Sequence, residues 1–300
     1  MRTAPDYIQF YPTLRCNRSC AFCFNHAMPF MPDMKLSDIM VMLDTLVALK
    51  VRTVDILGGE PTLHSDLQSI VRAAKQRGLA VNISTNGTNI PVLEELIRSE
   101  EQVTIGLSVN DQETLDRLQG FISQHHPVVK TVAGSVIDQS LVNKIRSLGP
   151  AKFYLIYQDA VTSKELHATM PFPRFLAETT GADTVYCSGF LPDRGTYPEL
   201  STVRCPAGTT KLGIMPDGSV YPCNLFFGKE KYRLGNILHD SFHDIWSHPG
   251  LEFFRTFQGN SCSQKTCNLH RDCHGGCPAQ SFLIVGDPAA PDPRCMRGRF

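Results

Sequence analysis

Cys16-Asn17-Arg18-Ser19-Cys20-Ala21-Phe22-Cys23, a few residues after the strand-like run Tyr7-Ile8-Gln9-Phe10-Tyr11, is the stretch on which the reading of the fold turns. Three cysteines in CxxxCxxC spacing can wrap one face of a cuboidal iron–sulfur cluster. Such a cluster normally takes one cysteine per iron, and no fourth cysteine follows until Cys187. One iron is thereby left open to a small ligand, an arrangement for chemistry rather than for structure alone. The plainer alternatives are a zinc site that borrows His26, or three buried cysteines.

Outward from this segment the first half alternates strand and helix patterns. After the strand at Tyr7–Tyr11, a helix is expected over about 37–50 with Ile39, Leu43, Leu46 and Val47 on one face. Strands are expected over 52–57, 80–84 and 103–109. Between them, Ser65-Asp66-Leu67-Gln68 reads as a capping box opening a helix that Gly78 ends. Pro91 starts another helix, with Val92, Leu93, Leu96 and Ile97 on its apolar face, and a further helix begins near Asp111. Val132–Ile137 and Phe153–Tyr157 supply the last two expected strands. Repeated units at this spacing imply a parallel sheet with right-handed crossovers. Six units rather than the eight of a closed barrel imply an α/β fold, a partial (β/α)6 TIM-type barrel with its chemistry at the C-terminal ends of the strands.

Composition excludes several function classes. The 29 basic and 29 acidic residues balance and are scattered, so neither nucleic acid nor a membrane surface is an expected partner. No apolar run is long enough to span a bilayer, and Met1–Asp6 lacks an apolar signal region; a cytoplasmic location is expected. In a reducing compartment the eleven cysteines point to metal rather than to disulfides. Apart from the triplet and Cys187, they crowd between Cys205 and Cys295.

The triplet, with aromatic Phe22 before its last cysteine, resembles the signature of radical S-adenosylmethionine (SAM) enzymes. Gly58-Gly59-Glu60-Pro61, one strand later, resembles that family's site for the cofactor's amino group, although alone it reads as a turn. Ser84-Thr85-Asn86-Gly87 follows the third strand and Ser108 ends the fourth. Either the turn chemistry of Asn-Gly explains the former, or Ser84, Asn86 and Ser108 line the cofactor's carboxylate and ribose as the resemblance implies. Phe22 packs either beside the adenine or in the core, and Arg117 either faces the cofactor carboxylate or belongs to a solvated helix face. The resemblance implies that the open iron chelates SAM, and that reductive cleavage yields a 5′-deoxyadenosyl radical that abstracts hydrogen. It also implies an electron donor such as a flavodoxin or ferredoxin. No general base is legible.

In the second half, Cys205, the run Gly218-Ser219-Val220-Tyr221-Pro222-Cys223, and Cys262, Cys267, Cys273, Cys277 and Cys295 form a spaced series. With Leu234-Gly235-Asn236-Ile237 ahead of Asp244-Ile245-Trp246, the series resembles the SPASM domain, which binds up to two auxiliary [4Fe–4S] clusters. Four residues separate Cys262 from Cys267 where that domain usually has two, a departure that touches one cluster's geometry. A zinc site using His270 or His274 is the alternative. The resemblance assigns Cys205, Cys223 and Cys277 to an inner cluster, and Cys262, Cys267, Cys273 and Cys295 to an outer one. Cys187 is then the remaining cysteine, either the inner cluster's fourth ligand or a small buried hydrophobe.

The expected organisation is a radical SAM partial barrel over residues 1–180 and a small cysteine-rich SPASM module over 181–300. The first strand begins at Tyr7, so the separate N-terminal peptide-recognition domain of many peptide maturases is expected to be missing. The expected reaction is hydrogen abstraction from a ribosomal peptide. The alternatives are a small-molecule or tetrapyrrole dehydrogenase or decarboxylase, or a non-catalytic iron–sulfur or zinc protein.

Overall fold

The computed structural model describes residues 4–100, 103–179, 184–185, 205–256, 262 and 275–296. Cys187, Cys267 and Cys273 lie outside the described residues. The chain forms two compact units, Met1–Ser108 with Ala207–Arg255 and Val109–Pro206 with Thr256–Phe300. Each unit draws on both sides of residue 180, so the expected division there stays a proposal about sequence modules.

The first unit is built on β1 (Tyr7–Phe10), β2 (Thr53–Ile56), β3 (Ala80–Thr85) and β4 (Val103–Ser108), parallel neighbours in that order. The helices α1 (Leu36–Ala48), α2 (Leu67–Gln76) and α3 (Ile90–Ser99) connect them. Period-two alternation sends Ile8, Phe10, Val54, Ile56, Val81, Ile83, Ile105 and Leu107 to one buried face. The helices bring their own buried residues: Ile39, Met42, Leu43 and Leu46 from α1, Leu67, Ile70, Val71 and Ala74 from α2, and Leu93 and Leu96 from α3. Each of these Val, Leu, Ile, Phe and Met side chains contributes about 1.5–3 kcal/mol by burial. Val47, expected on the α1 core face, is 37 % exposed, and Met42 is buried instead. The opposite face of the strands is polar, carrying Gln9, Asp55 and Asn82 in register and Ser84 two residues further along β3.

The other edge of β1 pairs in parallel with β8 (Lys211–Ile214), in the register Tyr7↔Lys211 to Phe10↔Ile214. Antiparallel β9 (Ser219–Tyr221) and β10 (Gly235–Asn236) follow. Gly218 turns this hairpin at φ +82, and a Cβ there would sit 2.6 Å from the Asn236 amide oxygen. Asn236 Nδ2 in turn donates to the Asp217 carbonyl at 2.7 Å, which gives the Leu234–Ile237 text a structural role.

In the second unit β5 (Val128–Ala133) pairs in parallel with β6 (Lys152–Tyr157), which pairs with β7 (Thr184–Val185). Around them lie α4 (Gln112–His125), α5 (Gln139–Ser147), α6 (Ser163–Ala168) and α7 (Phe172–Glu178). The fifth strand thus corrects the expected Val132–Ile137. It starts after Pro127 and stops at Gly134, where a Cβ would meet Gln158 Oε1 at 2.6 Å. Val136, 66 % exposed, belongs to the loop that leads to the Asp138 cap of α5.

The capping box at Ser65 is also corrected. α2 has no side-chain cap bond; the segment before it is held by buried His64, whose Nδ1 accepts from the Asp66 amide at 3.1 Å and whose Nε2 lies 3.0 Å from the Met34 carbonyl. Among the described residues, no helix is long and apolar enough to cross a membrane.

Candidate active site

The chain leaving β1 runs alongside the chain leaving β2. The Leu57 amide donates to Phe10 O at 2.8 Å, the Gly59 amide to Thr13 O at 3.0 Å and the Glu60 amide to Arg15 O at 2.7 Å. This zipper delivers the backbone to Cys16. It is possible only because residues 58 and 59 lack side chains. A Cβ on Gly58 (φ +139) would lie 2.3 Å from Thr13 O, and one on Gly59 would lie 2.0 Å from Arg15 O. Past the last cysteine, Asn25 Nδ2 donates to Gly58 O at 2.8 Å, so the cysteine loop is tied to the glycines at both ends.

Thr13 and Arg15 are themselves held by Asp33: Thr13 Oγ1 donates at 2.6 Å, and Arg15 Nε reaches both carboxylate oxygens at 3.1 and 3.2 Å. Burial alone would raise the Asp33 carboxyl. The hydrogen bonds from Arg15 and Thr13 outweigh it and hold the group below the usual carboxylate range.

Cys16 is exposed, and Cys20 and Cys23 are half-buried. The Cys23 amide donates to Cys20 O at 3.0 Å, closing a tight turn between the last two cysteines. Among the described residues no three His, Cys, Asp or Glu side chains gather for a single ion. A cuboidal cluster takes its thiolates at separate corners, so three accessible cysteines on one anchored loop fit it. Phe22, just before Cys23, is half-buried.

The expected acceptor role of Glu60 toward an ammonium group meets a side chain that is 0 % exposed. Its Oε1 accepts from the Thr62 amide (3.1 Å), the Thr62 hydroxyl (2.7 Å) and the Thr85 hydroxyl (2.6 Å), and its Oε2 accepts from the Asn86 amide (2.7 Å). These bonds compensate the burial of the charge and join the end of β2 to the end of β3. Asn86, so placed, donates to Asn17 Oδ1 at 3.0 Å, with Cys16 Sγ 3.9 Å from the same nitrogen. Glu60, Asn86 and the first cysteine therefore form one connected constellation. Ser84 and Ser108 are half-buried and share the polar strand face, Ser84 lying opposite Gly106 in register.

The sequence reading misses a second set of residues on that face. Tyr11, 2 % exposed, accepts from Asn224 Nδ2 at 3.1 Å, and the Asn224 amide donates to Gln9 Oε1 at 3.3 Å. Cys223, beside Asn224, is thereby docked on the face of β1. Burial above all, then the nearby Asp55, Cys23 and Cys223, push the Tyr11 phenol up against the lowering effect of Asn224. The legible signal is the alternation of Tyr7, Gln9 and Tyr11, polar groups at period two within an otherwise apolar strand. Of the remaining expected ligands, Cys205 and Cys277 are buried and Cys262 and Cys295 half-buried in the second unit.

The family model of the radical SAM superfamily matches residues 10–153, and that of an iron–sulfur cluster-binding domain, SPASM, matches residues 205–278. The mycofactocin maturase MftC of Mycolicibacterium smegmatis is 27 % identical, over 98 % of this chain and 83 % of its own length. A protein of Pyrococcus furiosus that modifies the cofactor of a tungsten-containing aldehyde ferredoxin oxidoreductase is also 27 % identical, over 89 % and 88 %. In fold the chain resembles SuiB of Streptococcus suis bound to S-adenosylmethionine, with a TM-score of 0.77 at 20 % identity over 98 % of this chain and 77 % of that one. SuiB bound to its precursor peptide SuiA gives 0.76 at 19 % identity over 98 % and 76 %. Both modules are thus matched in order along a strand–helix scaffold: a radical SAM domain, which takes SAM and a [4Fe–4S] cluster, followed by a SPASM domain for auxiliary clusters.

Proposed function

We propose that this enzyme modifies a ribosomally made peptide by abstracting a hydrogen atom from it. The observation that carries the reading is the zipper between Thr13–Arg15 and Gly58–Glu60, which seats the cysteine loop directly on the Gly-Gly-Glu-Pro turn. An electron carrier has no use for such a seat. A maturase among the relatives and the likeness to SuiB, seen with a precursor peptide, support a peptide substrate. The relative in Pyrococcus furiosus keeps a second reading, a small molecule or cofactor as substrate.

In this reading Cys16, Cys20 and Cys23 hold the catalytic cluster. When bound, the cluster and SAM together supply a carbon-centred radical able to break a strong C–H bond, while the protein orients the reacting atoms and keeps water out. Gly58 and Gly59 let the loop backbone approach. Glu60 works from behind, holding the Asn86 amide so that Asn86 faces the cluster loop. Ser84 and Ser108 line the cofactor's polar end, and Phe22 packs beside its base. Cys205, Cys223 and Cys277, with Cys187 as fourth, hold the inner auxiliary cluster; Cys262, Cys267, Cys273 and Cys295 hold the outer. A flavodoxin or ferredoxin supplies electrons, and the enzyme works in the cytoplasm.

The test is anaerobic reduction of the reconstituted enzyme with SAM, reading 5′-deoxyadenosine with and without a short peptide encoded beside its gene. The reading expects release that the peptide stimulates, with a mass change in the peptide. Release without any change in the peptide favours the small-molecule reading, and no release at all removes the enzyme assignment.

A further inference from the structure

Arg294, 1 % exposed, is a guanidinium buried in the second unit. A buried charge persists only with close partners. Here Nε and NH2 pair with the two oxygens of Asp292 at 3.1 and 2.9 Å, while NH1 reaches the Gln158 carbonyl at 3.1 Å and Asp159 Oδ1 at 3.0 Å. The guanidinium lies 5.0 Å from the centre of the Tyr157 ring. Gln280 adds to the tie: its Nε2 donates to Asp159 Oδ1 at 3.2 Å, and its Oε1 accepts from the Ala160 amide at 3.0 Å. Tyr157 ends β6, so the C-terminal segment is latched to the C-terminal end of that strand.

Asp292 has a second task. Its Oδ2 also accepts from the Cys277 amide at 2.9 Å, and its carbonyl accepts from the Cys295 amide at 3.1 Å. The chain is shaped for this approach: Gly276 has φ +90, and a Cβ there would lie 2.3 Å from Asp292 Cβ. One residue thus holds the main chain of two cysteines that the ligand assignment gives to different auxiliary clusters. A buried ion pair is weak evidence for stability by itself; its clear product here is fixed position and fixed charge beside two cysteines.

We infer that Asp292, held by buried Arg294, is a positioning residue that sets Cys277 and Cys295 against the end of β6 and tunes the reduction potential of the auxiliary cluster that Cys277 serves. The inference rests on Cys277 and Cys295 being cluster ligands, as proposed above. Groups that hold a ligand's backbone and charges fixed near it are what tune a cluster once its ligands are chosen. The two charges act oppositely. Asp292→Asn removes a negative charge and raises the midpoint potential, while Arg294→Gln removes a positive one and lowers it.

The experiment is a redox titration of full-length, anaerobically reconstituted enzyme, followed by electron paramagnetic resonance with iron determined on the same samples. The expected result is shifts of opposite sign in the two variants, with the SAM-perturbed signal of the catalytic cluster unchanged. Shifts of the same sign, or none, at wild-type iron content overturn the inference, because mere loosening moves both variants alike. If a single variant fails to hold its iron, the charge-balanced Asp292→Asn/Arg294→Gln enzyme decides. Wild-type melting with one perturbed auxiliary signal supports the inference, and unperturbed signals overturn it. Wild-type enzyme with only about four irons per chain and no auxiliary signal refutes the ligand assignment beneath it.

Discussion

Thr85 Oγ1 donates to Glu60 Oε1 at 2.6 Å, a bond between the ends of β3 and β2 with both partners buried. It makes Glu60 a brace for the site. Glu60→Ala strands buried donors, so it is expected to destabilise the fold by at least about 1–3 kcal/mol as well as weaken SAM binding. Anaerobic melting alongside equilibrium binding checks this. Weakened binding with unchanged melting would assign Glu60 to the cofactor alone.

Gly59→Ala is expected to expel the cysteine loop, because the new methyl would lie 2.0 Å from Arg15 O and 2.5 Å from Leu14 O, both backbone atoms with no freedom to swing aside. The reconstituted variant should lose about four irons per chain, one cluster's worth, and keep its auxiliary signals. A full iron complement would show that the loop tolerates displacement.

Replacing Cys16, Cys20 or Cys23 by Ala is expected to abolish 5′-deoxyadenosine formation while auxiliary-cluster spectra survive. Turnover by the Cys20→Ala enzyme at the wild-type rate would remove the assignment.

The Tyr11 phenol is shifted upward in the folded protein, chiefly by burial. Its contribution to stability is therefore fully present below the unfolded value of about 10 and is lost as pH rises through the folded value. Tyr11→Phe leaves Asn224 without its acceptor and should cost about 1 kcal/mol at pH 8. It should also flatten the decline in stability on the alkaline side. Denaturation midpoints at pH 8 and above pH 10 read both effects, and an equally steep alkaline decline in the variant would place the titrating group elsewhere.

Cys187→Ala is expected to lose or perturb one auxiliary cluster. Eleven cysteines divide as three, four and four only if Cys187 is a ligand. Anaerobic electron paramagnetic resonance with all signals unchanged would leave the inner cluster with an open iron able to meet substrate directly.

Much of this molecule is written in short-range signals. The alternation of Ile8 and Phe10 against Gln9 marks a strand with one apolar face, and the spacing of Cys16, Cys20 and Cys23 marks the cluster loop; each depends on residues a few positions apart. The placement of Gly58-Gly59-Glu60-Pro61 after the second strand is legible for the same reason. Where β-branched residues run on past a strand end, as at Val136 and Ile137, local pattern misplaces the boundary: the strand ends at Ala133, and the next position admits no side chain, since a Cβ on Gly134 would lie 2.6 Å from Oε1 of distant Gln158.

The sequence by itself determined the strand–helix repeat, the cluster loop and the cysteine-rich tail, since backbone period and ligand spacing are local properties of the chain. Tertiary structure alone decided that Lys211–Ile214 returns to pair with Tyr7–Phe10, seating Cys223 on the polar face of β1. It alone turned Glu60 inward and joined Asp292 and Arg294 to both Cys277 and the end of β6. The physical reason is the same each time. Thr62 and Asp292 lie two residues from the charges they meet, but Thr85 and Asn86 for Glu60, and Gln158 and Asp159 for Arg294, are supplied only by the chain's long-range return, which no window of neighbouring residues contains.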